Sequence, residues 1–296
     1  MYQPKTVSCY LMGGLGNQLF QIFTTMAYSM QNRIKTVFPY SDVLTVGIER
    51  PTYWNSFLKN LVEFTTANSG NNLSNDDLYQ YPVIREPHHH YFKLPTQDLV
   101  QDNTILFGYY QSHKYFENEK DALFSFIELR KQQIAVKNEF SSYFDNDCHT
   151  ISMHFRLGDY KEKQDYHPIM PYEYYENALF NILCFQINRP FLPYRVLYFC
   201  ESEDNDIVSS HIESLKTKYS AIEFVKVDDK IEDWKQLLLM SCCENNIIAN
   251  SSFSWWAGYF NQNKDKFVCY PHVWFGPKAN NILDDMFPIE WNHIKW

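Results

Sequence analysis

Asn245-Asn246-Ile247-Ile248-Ala249-Asn250-Ser251-Ser252-Phe253-Ser254-Trp255-Trp256 joins a short apolar run to a hydroxyl-rich turn and then to a pair of aromatics. Ile247-Ile248-Ala249 has the β-branched, uncharged character of an internal strand. Asn250 to Ser252 follow with polar side chains suited to cap a helix that carries Trp255, Trp256 and Tyr259. A strand, a polar turn and a helix start bring backbone N–H groups and hydroxyls to one place, where an anion such as phosphate can sit. Asn250, Ser251, Ser252 and the N–H of Phe253 are the candidate cradle. The competing reading is structural, a capped helix that buries its tryptophan pair.

Upstream, Ile151-Ser152-Met153-His154-Phe155-Arg156-Leu157-Gly158-Asp159-Tyr160 alternates apolar and polar residues and then breaks at Gly158-Asp159. Alternation puts His154 and Arg156 on one face near the strand's end. A planar guanidinium that stays charged fits a pair of diphosphate oxygens and can stabilise a departing nucleotide. An Arg156–Asp159 ion pair closing the turn is the alternative. His154 is either a group that positions the nucleotide or a hydrogen-bonded histidine beneath the sheet edge.

At the amino end, Val7-Ser8-Cys9-Tyr10-Leu11 reads as a strand, and Met12-Gly13-Gly14-Leu15-Gly16-Asn17-Gln18-Leu19 opens a helix reaching Met30. Three of the nine glycines fall here, permitting a tight turn and close approach of backbone to a ligand. Gly14, Asn17 and Gln18 are candidate contacts to a sugar or acceptor. Leu19 stands where a dinucleotide-binding loop needs its third glycine, which disfavours an oxidoreductase.

Between these landmarks the pattern predicts strands at 36–38, 104–108, 151–156, 195–200, 222–227 and 246–249. Helices are expected over 115–144, 171–188, 204–218 and 231–243. Residues 41–101 show irregular elements, rich in Asn, Tyr and Pro, and are expected to carry acceptor-facing loops. The polar cluster Asp145-Asn146-Asp147 suggests a boundary dividing the chain into domains 1–146 and 147–296. Alternating strands and helices mean parallel sheets, and the carboxyl edge of the second sheet should gather Arg156, Glu201 and Ser251.

Taken together, these segments resemble the α-1,2-fucosyltransferase family, glycosyltransferase family 11. The likeness rests on Gly13-Gly-Leu-Gly-Asn-Gln-Leu-Phe-Gln21, Gly108-Tyr-Tyr-Gln-Ser-His-Lys-Tyr-Phe116, His154-Phe-Arg-Leu-Gly-Asp-Tyr160, Leu239 to Trp256, and Trp274-Phe275, in the family's order. It implies an α/β, GT-B-like architecture, with two Rossmann-like domains facing a central cleft. It also implies a GDP-fucose donor, a galactose-terminated glycan acceptor, inversion at the sugar carbon and no metal. Asp233 matches a carboxylate position of the family and could accept from a guanine edge. Asp159 and His167 are candidates for a general base, although the resemblance does not single one out. The family commonly reads His-x-Arg-Arg-Gly-Asp, and Leu157 takes the place of the second arginine. That departure leaves two alternatives: the same fold using another nucleotide deoxysugar, or a non-catalytic carbohydrate-binding relative.

Composition sets bounds on these expectations. The 296 residues, 45% hydrophobic, suffice for two cores, and a net charge of -9 with pI near 5.6 argues against nucleic acid as a partner. Aromatic residues reach 18%, which suits sugar faces or reflects compositional bias in the source genome. The seven cysteines lack C-x-x-C spacing and are expected to be reduced. His88-His89-His90 invites a metal reading, but neighbouring histidines point different ways, and a polar loop is expected. No apolar run long enough to span a membrane occurs, nor does a signal-peptide pattern, so a soluble cytoplasmic enzyme is expected.

Overall fold

The computed structural model describes residues 5–45, 47–96, 102–144, 147–186, 192–279 and 281–296. The chain forms two compact units, Met1–Leu129 with Asn281–Pro288, and Arg130–Asn280 with Ile289–Trp296.

The first unit contains β1 (Thr6–Cys9), α1 (Leu15–Asn32), β2 (Lys35–Thr36), β3 (Val43–Leu44), β4 (Arg50–Pro51), α2 (Asn75–Tyr79), β5 (Val83–Arg85), β6 (Thr104–Phe107) and α3 (Lys120–Phe126). Its sheet runs β2-β1-β6-β5, every pair parallel, while β3 and β4 form a separate antiparallel ribbon. Because α1 is buried along most of its length, Leu19, Phe20, Ile22, Phe23 and Ala27 are all fully enclosed. The helix ends where Arg33 turns left-handed at φ 55°, and its N–H satisfies the Met30 carbonyl.

The second unit takes α4 (Leu129–Glu139), β7 (His149–His154), α5 (Tyr172–Phe185), β8 (Tyr194–Phe199), α6 (Asn205–Lys218), β9 (Ile222–Lys226), α7 (Asp233–Cys242), β10 (Asn245–Ile247), α8 (Ser252–Phe260), β11 (Val268–Pro271) and β12 (Asn292–Ile294). All six strands are parallel in the order β12-β11-β10-β7-β8-β9, with β7 central. Residues 151, 153, 155 and 157 pack with Tyr174, Tyr175, Ala178 and Leu179 of α5 and with Val208, Ile212 and Leu215 of α6. The opposite face of β7 turns toward α7 and α8: Ser152 Oγ accepts from Asn246 Nδ2, which also donates to the Met240 carbonyl of α7, and the His154 ring contacts that of Phe253 on α8.

Several expectations move. The 115–144 helix is interrupted: α3 ends at Phe126 and Glu128 adopts φ 49°, because Ile127 and Leu129 are both drawn into the interior across the break. Within 41–101, β5 supplies an edge strand that three half-exposed residues gave too little pattern to reveal. β11 and β12 extend the second sheet beyond the strands the sequence indicated. Residues 145 and 146 of the expected boundary, and the end of the 171–188 helix, lie outside the described residues. α4 packs into the second unit, where Gln133 Nε2 donates to Ser241 Oγ and to the Phe260 carbonyl.

A buried amide network ties β10 to its surroundings. Asn246 Nδ2 donates to Ser152 Oγ and to the Met240 carbonyl, both at 2.8 Å, and Asn246 Oδ1 accepts from Asn261 Nδ2 at 2.7 Å. Asn246→Ala removes partners from three buried polar groups and leaves a cavity. It should lower the unfolding free energy by about 2–4 kcal/mol, read from a urea titration.

Candidate functional site

Parallel strands send the chain segments that follow them to one edge of the sheet, which is where α/β folds bind ligands. In the second unit that edge carries Arg156 after β7, Glu201 after β8, Asp229 and Asp233 after β9, Ser251 after β10 and Trp274 after β11.

Arg156 leaves the central strand just beyond its last ladder bond, in which Phe155 N donates to the Phe199 carbonyl. Its guanidinium is held by Asp159 Oδ1 at 2.5 Å and by Glu201 Oε1, and lies 5.0 Å from the Tyr160 ring centre. Burial opposes the positive charge, but Glu201, Tyr160 and Asp159 outweigh it, so the group stays charged. The turn beneath the arginine is closely packed. Gly158 adopts φ +36°, and a Cβ there would stand 2.7 Å from Glu201 Oε2. Gly158 N donates to the fully buried Asp204 at 2.9 Å, whose other oxygen stands 2.6 Å from Lys161 Nζ. The Arg156–Asp159 pair considered from sequence is therefore present, joined by Glu201. Asp159 also binds Lys163 Nζ at 3.0 Å, so its carboxylate is shared between two cations rather than standing as an isolated base.

His154, 7% exposed, sits on the same face of β7 with its ring 5.6 Å from that of Phe253. Its Nδ1 is buried and has no hydrogen-bond partner among the described residues. Burial, together with Arg156 and Lys226, pushes its pKa down to about 3, so the ring is neutral in ordinary buffers. The folded pKa lies below the unfolded value near 6.5, so this contribution to stability is complete above about pH 6.5 and fades as pH falls. His154→Gln should flatten the acid side of the stability curve, where the wild type loses up to about 1.4 kcal/mol per pH unit through this one group. Chemical unfolding at a series of pH values checks it.

The Asn250–Phe253 turn folds as a capped helix start. Ser251 is the N-cap of α8 and its Oγ accepts from Phe253 N at 3.3 Å. Asn250 is turned inward, Nδ2 donating to the carbonyls of Pro168 and Trp274, and its buried Oδ1 has no partner among the described residues. Its amide hydrogens thus tie the loop down instead of facing solvent. Ser252 and Phe253 remain half-buried at the helix start. Trp255 and Trp256 are fully enclosed, so the buried tryptophan pair of the alternative reading is also real.

His167 joins this neighbourhood through Tyr160, stacked at 4.8 Å, and contacts the Phe275 ring at 5.9 Å. Burial lowers its pKa. Asp233 is the exposed first residue of α7, where Oδ1 accepts from Trp234 N at 2.7 Å. Lys226, which sequence reasoning passed over, ends β9; its ammonium is bound by Asp229 and donates to the Val227 carbonyl at 3.1 Å. Its only sequence signal was a cation closing a strand. Asp204 was likewise missed, in an acidic run where nothing distinguishes the buried member.

In the first unit Gly14 precedes α1 as its N-cap and Asn17 Oδ1 accepts from Gln111 Nε2 at 2.7 Å. Gln18 does not offer its amide to solvent. It is 1% exposed and donates to the carbonyls of Gly13 and Pro51, each at 2.9 Å, clamping the glycine loop to β4. His88 and His90 stack at 3.5 Å, and among the described residues no three His, Cys, Asp or Glu side chains converge as metal ligands. Also among the described residues, no helix is long and apolar enough to cross a membrane.

Two units each built on a parallel α/β sheet are the architecture of the GT-B fold class, and solved structures share it. Arabidopsis thaliana FUT1, in complex with GDP, superposes with a TM-score of 0.51 at 12% identity, covering 97% of this chain and 75% of that one. The E. coli ADP-heptose lipopolysaccharide heptosyltransferase II gives a TM-score of 0.51 at 11% identity, covering 98% and 90%. Within that class the chain belongs to Glycosyl transferase family 11, whose pattern matches residues 3–295. It is 26% identical to the Escherichia coli O-antigen biosynthesis glycosyltransferase WbnK over 93% of this chain and 97% of the relative. An Escherichia coli alpha-1,2-colitosyltransferase is 24% identical over 64% of this chain and 61% of the relative. A putative galactoside 2-alpha-L-fucosyltransferase of Caenorhabditis elegans is 26% identical over 64% and 51%.

Proposed function

We propose that this protein transfers L-fucose from GDP-fucose to the 2-hydroxyl of a terminal galactoside, with inversion at the sugar carbon. The observation that carries the donor half is Arg156, an oriented guanidinium at the carboxyl edge of a parallel sheet, near His154, whose buried Nδ1 has no hydrogen-bond partner among the described residues. Negative charge grows on the diphosphate as the glycosidic bond breaks, and a preorganised cation in a half-buried place stabilises it without metal. Ser251, Ser252 and the start of α8 line the same edge. Asp233 is the proposed acceptor for the donor base, while Gly14 and Asn17 serve the sugar and acceptor side. Bound GDP in the Arabidopsis relative supports a guanine nucleotide, and the alpha-1,2 linkage in the name of one sequence relative and the galactoside 2-position in that of another support the 2-hydroxyl.

A second reading keeps the chemistry and exchanges the sugar. It is favoured by the colitosyltransferase among the relatives and by Leu157 in the arginine motif. Purified protein with EDTA, a panel of GDP- and UDP-linked sugars and β-galactosides, followed by mass spectrometry, separates the two. Transfer from GDP-fucose supports the first reading, and exclusive use of another deoxysugar supports the second. Neither transfer nor nucleotide binding in any arm removes both.

A further inference from the structure

The glycosyl acceptor must lose a proton as its oxygen attacks, and the candidates from sequence do not fill that role well. Asp159 is shared by two cations and His167 is wedged between aromatic rings. The first unit holds a different carboxylate. Glu86 follows β5 directly and continues the ladder, its N–H donating to the Phe107 carbonyl at 2.9 Å, so it stands at the carboxyl edge of the first parallel sheet.

The side chain sits in a built socket. Oε2 accepts from Tyr109 N at 2.7 Å and Oε1 from Tyr110 N at 3.0 Å, leaving each oxygen a further lone pair. The socket exists because residue 108 is glycine, where a Cβ would stand 2.4 Å from the Glu86 Cβ, and because Tyr110 takes the left-handed φ of 52°. The same glycine links Glu86 to the glycine-rich loop. Its carbonyl accepts from Gln21 Nε2 at 3.2 Å, and Gln21 Oε1 accepts from Met12 N at 2.9 Å. One residue beyond the socket, Gln111 binds Asn17. Glu86 therefore lies within the polar group that the first unit presents at its sheet edge.

We propose that Glu86 is the general base that takes the proton from the acceptor's hydroxyl, an assignment that rests on the transferase reading above. In the step, the acceptor oxygen forms its bond to the anomeric carbon and its proton passes to the carboxylate. The bond from that carbon to the phosphate oxygen breaks, and the nucleoside diphosphate leaves with the electron pair. The protonated carboxyl then returns its proton to solvent.

The surroundings agree with this role. Among the described residues Glu86 has no ion pair. Arg85, its neighbour on β5, is held 4.5 Å over the Phe107 ring. The titratable groups facing it, Tyr110 and Tyr115 from the segment after β6, are themselves pushed up by burial and stay neutral. Burial also raises Glu86 to about 7, against the two N–H bonds that favour its ionised form. A base poised there is ionised in mildly alkaline buffer and loses its capacity as pH falls.

The test is the pH profile of kcat/KM for wild type and for Glu86→Gln, with a donor and galactoside that the wild type uses. The wild type should show an acid limb near pH 7 that the variant lacks. Turnover of Glu86→Gln should fall by about a hundredfold, while the KM for the donor stays within about twofold. A residue serving only to latch the 108–110 turn would lower the thermal midpoint and leave the limb in place. A variant that keeps the limb, or keeps more than a tenth of wild-type turnover, overturns the assignment alone. Failure of the wild type to transfer any sugar overturns the proposed function and this assignment with it. Should Glu86→Gln not fold, the wild-type profile decides by itself, and a flat profile between about pH 6 and 8 rejects Glu86.

Discussion

Arg156→Ala should reduce turnover roughly a thousandfold, equivalent to about 4 kcal/mol of barrier, while leaving the fold close to intact. The size follows from where the guanidinium stands. It is fixed on one side by Asp159 at 2.5 Å and on the other by Glu201, so its position is set before any substrate arrives. Preorganised charge of this kind acts on the transition state, where the leaving diphosphate carries more charge than in the bound donor. The loss should therefore appear mainly in kcat, with a smaller rise in the KM for the donor. Arg156→Lys keeps a charge but not a fork able to satisfy two carboxylates and a phosphate together, and should recover only part of the activity.

Stability provides the control. The side chains of Glu201 and Asp159 are 52% and 36% exposed, and Lys163 remains beside Asp159, so removing the arginine should change the unfolding free energy by no more than about 1 kcal/mol. Steady-state kinetics paired with thermal melts make the measurement. A folded Arg156→Ala protein within tenfold of wild type would show that the arginine merely closes the turn. It would also return the non-catalytic carbohydrate-binding reading to the front.

Much of the second unit was legible in the sequence because parallel strands buried on both faces leave long uninterrupted patterns. His149–His154 and Tyr194–Phe199 lie within two residues of the strands expected at 151–156 and 195–200. The gathering of Arg156, Glu201 and Ser251 at one edge followed from that order, since strand direction alone decides where the loops emerge. Side-chain direction within a loop has no such rule. Gln18 and Asn250 have the same chemistry as ligand-binding amides, yet both turn inward to satisfy backbone carbonyls. Glu86 escaped notice for the opposite reason. It follows a three-residue edge strand without periodicity, and its socket depends on Gly108 and the left-handed Tyr110, which lie more than twenty positions away.

Restoring the family's second arginine should damage the protein. Leu157 is 4% exposed and belongs to the apolar cluster that includes Phe155, Met170, Tyr175 and Val208. It faces the α5 and α6 side of the sheet, whereas Arg156 and His154 face the side of α8. A guanidinium at 157 would enter a region whose neighbours are hydrocarbon, aromatic and thiol, with no carboxylate among the cluster's members to pair with. An uncompensated buried charge of this kind costs on the order of 3–5 kcal/mol. Leu157→Arg should therefore shift the urea midpoint strongly downward without tightening GDP, while Leu157→Met, which conserves volume and polarity, should cost less than about 1.5 kcal/mol. If Leu157→Arg instead kept wild-type stability and bound GDP more tightly in calorimetry, the 157 side chain would have to reach the donor edge. The separation of faces described here would then be wrong for that turn. The expected pair of results carries a consequence for the motif. A leucine here fills the core beneath the arginine turn and leaves the single guanidinium of Arg156, steadied by Asp159 and Glu201, as the cation this motif would offer a donor diphosphate under the proposed transferase reading.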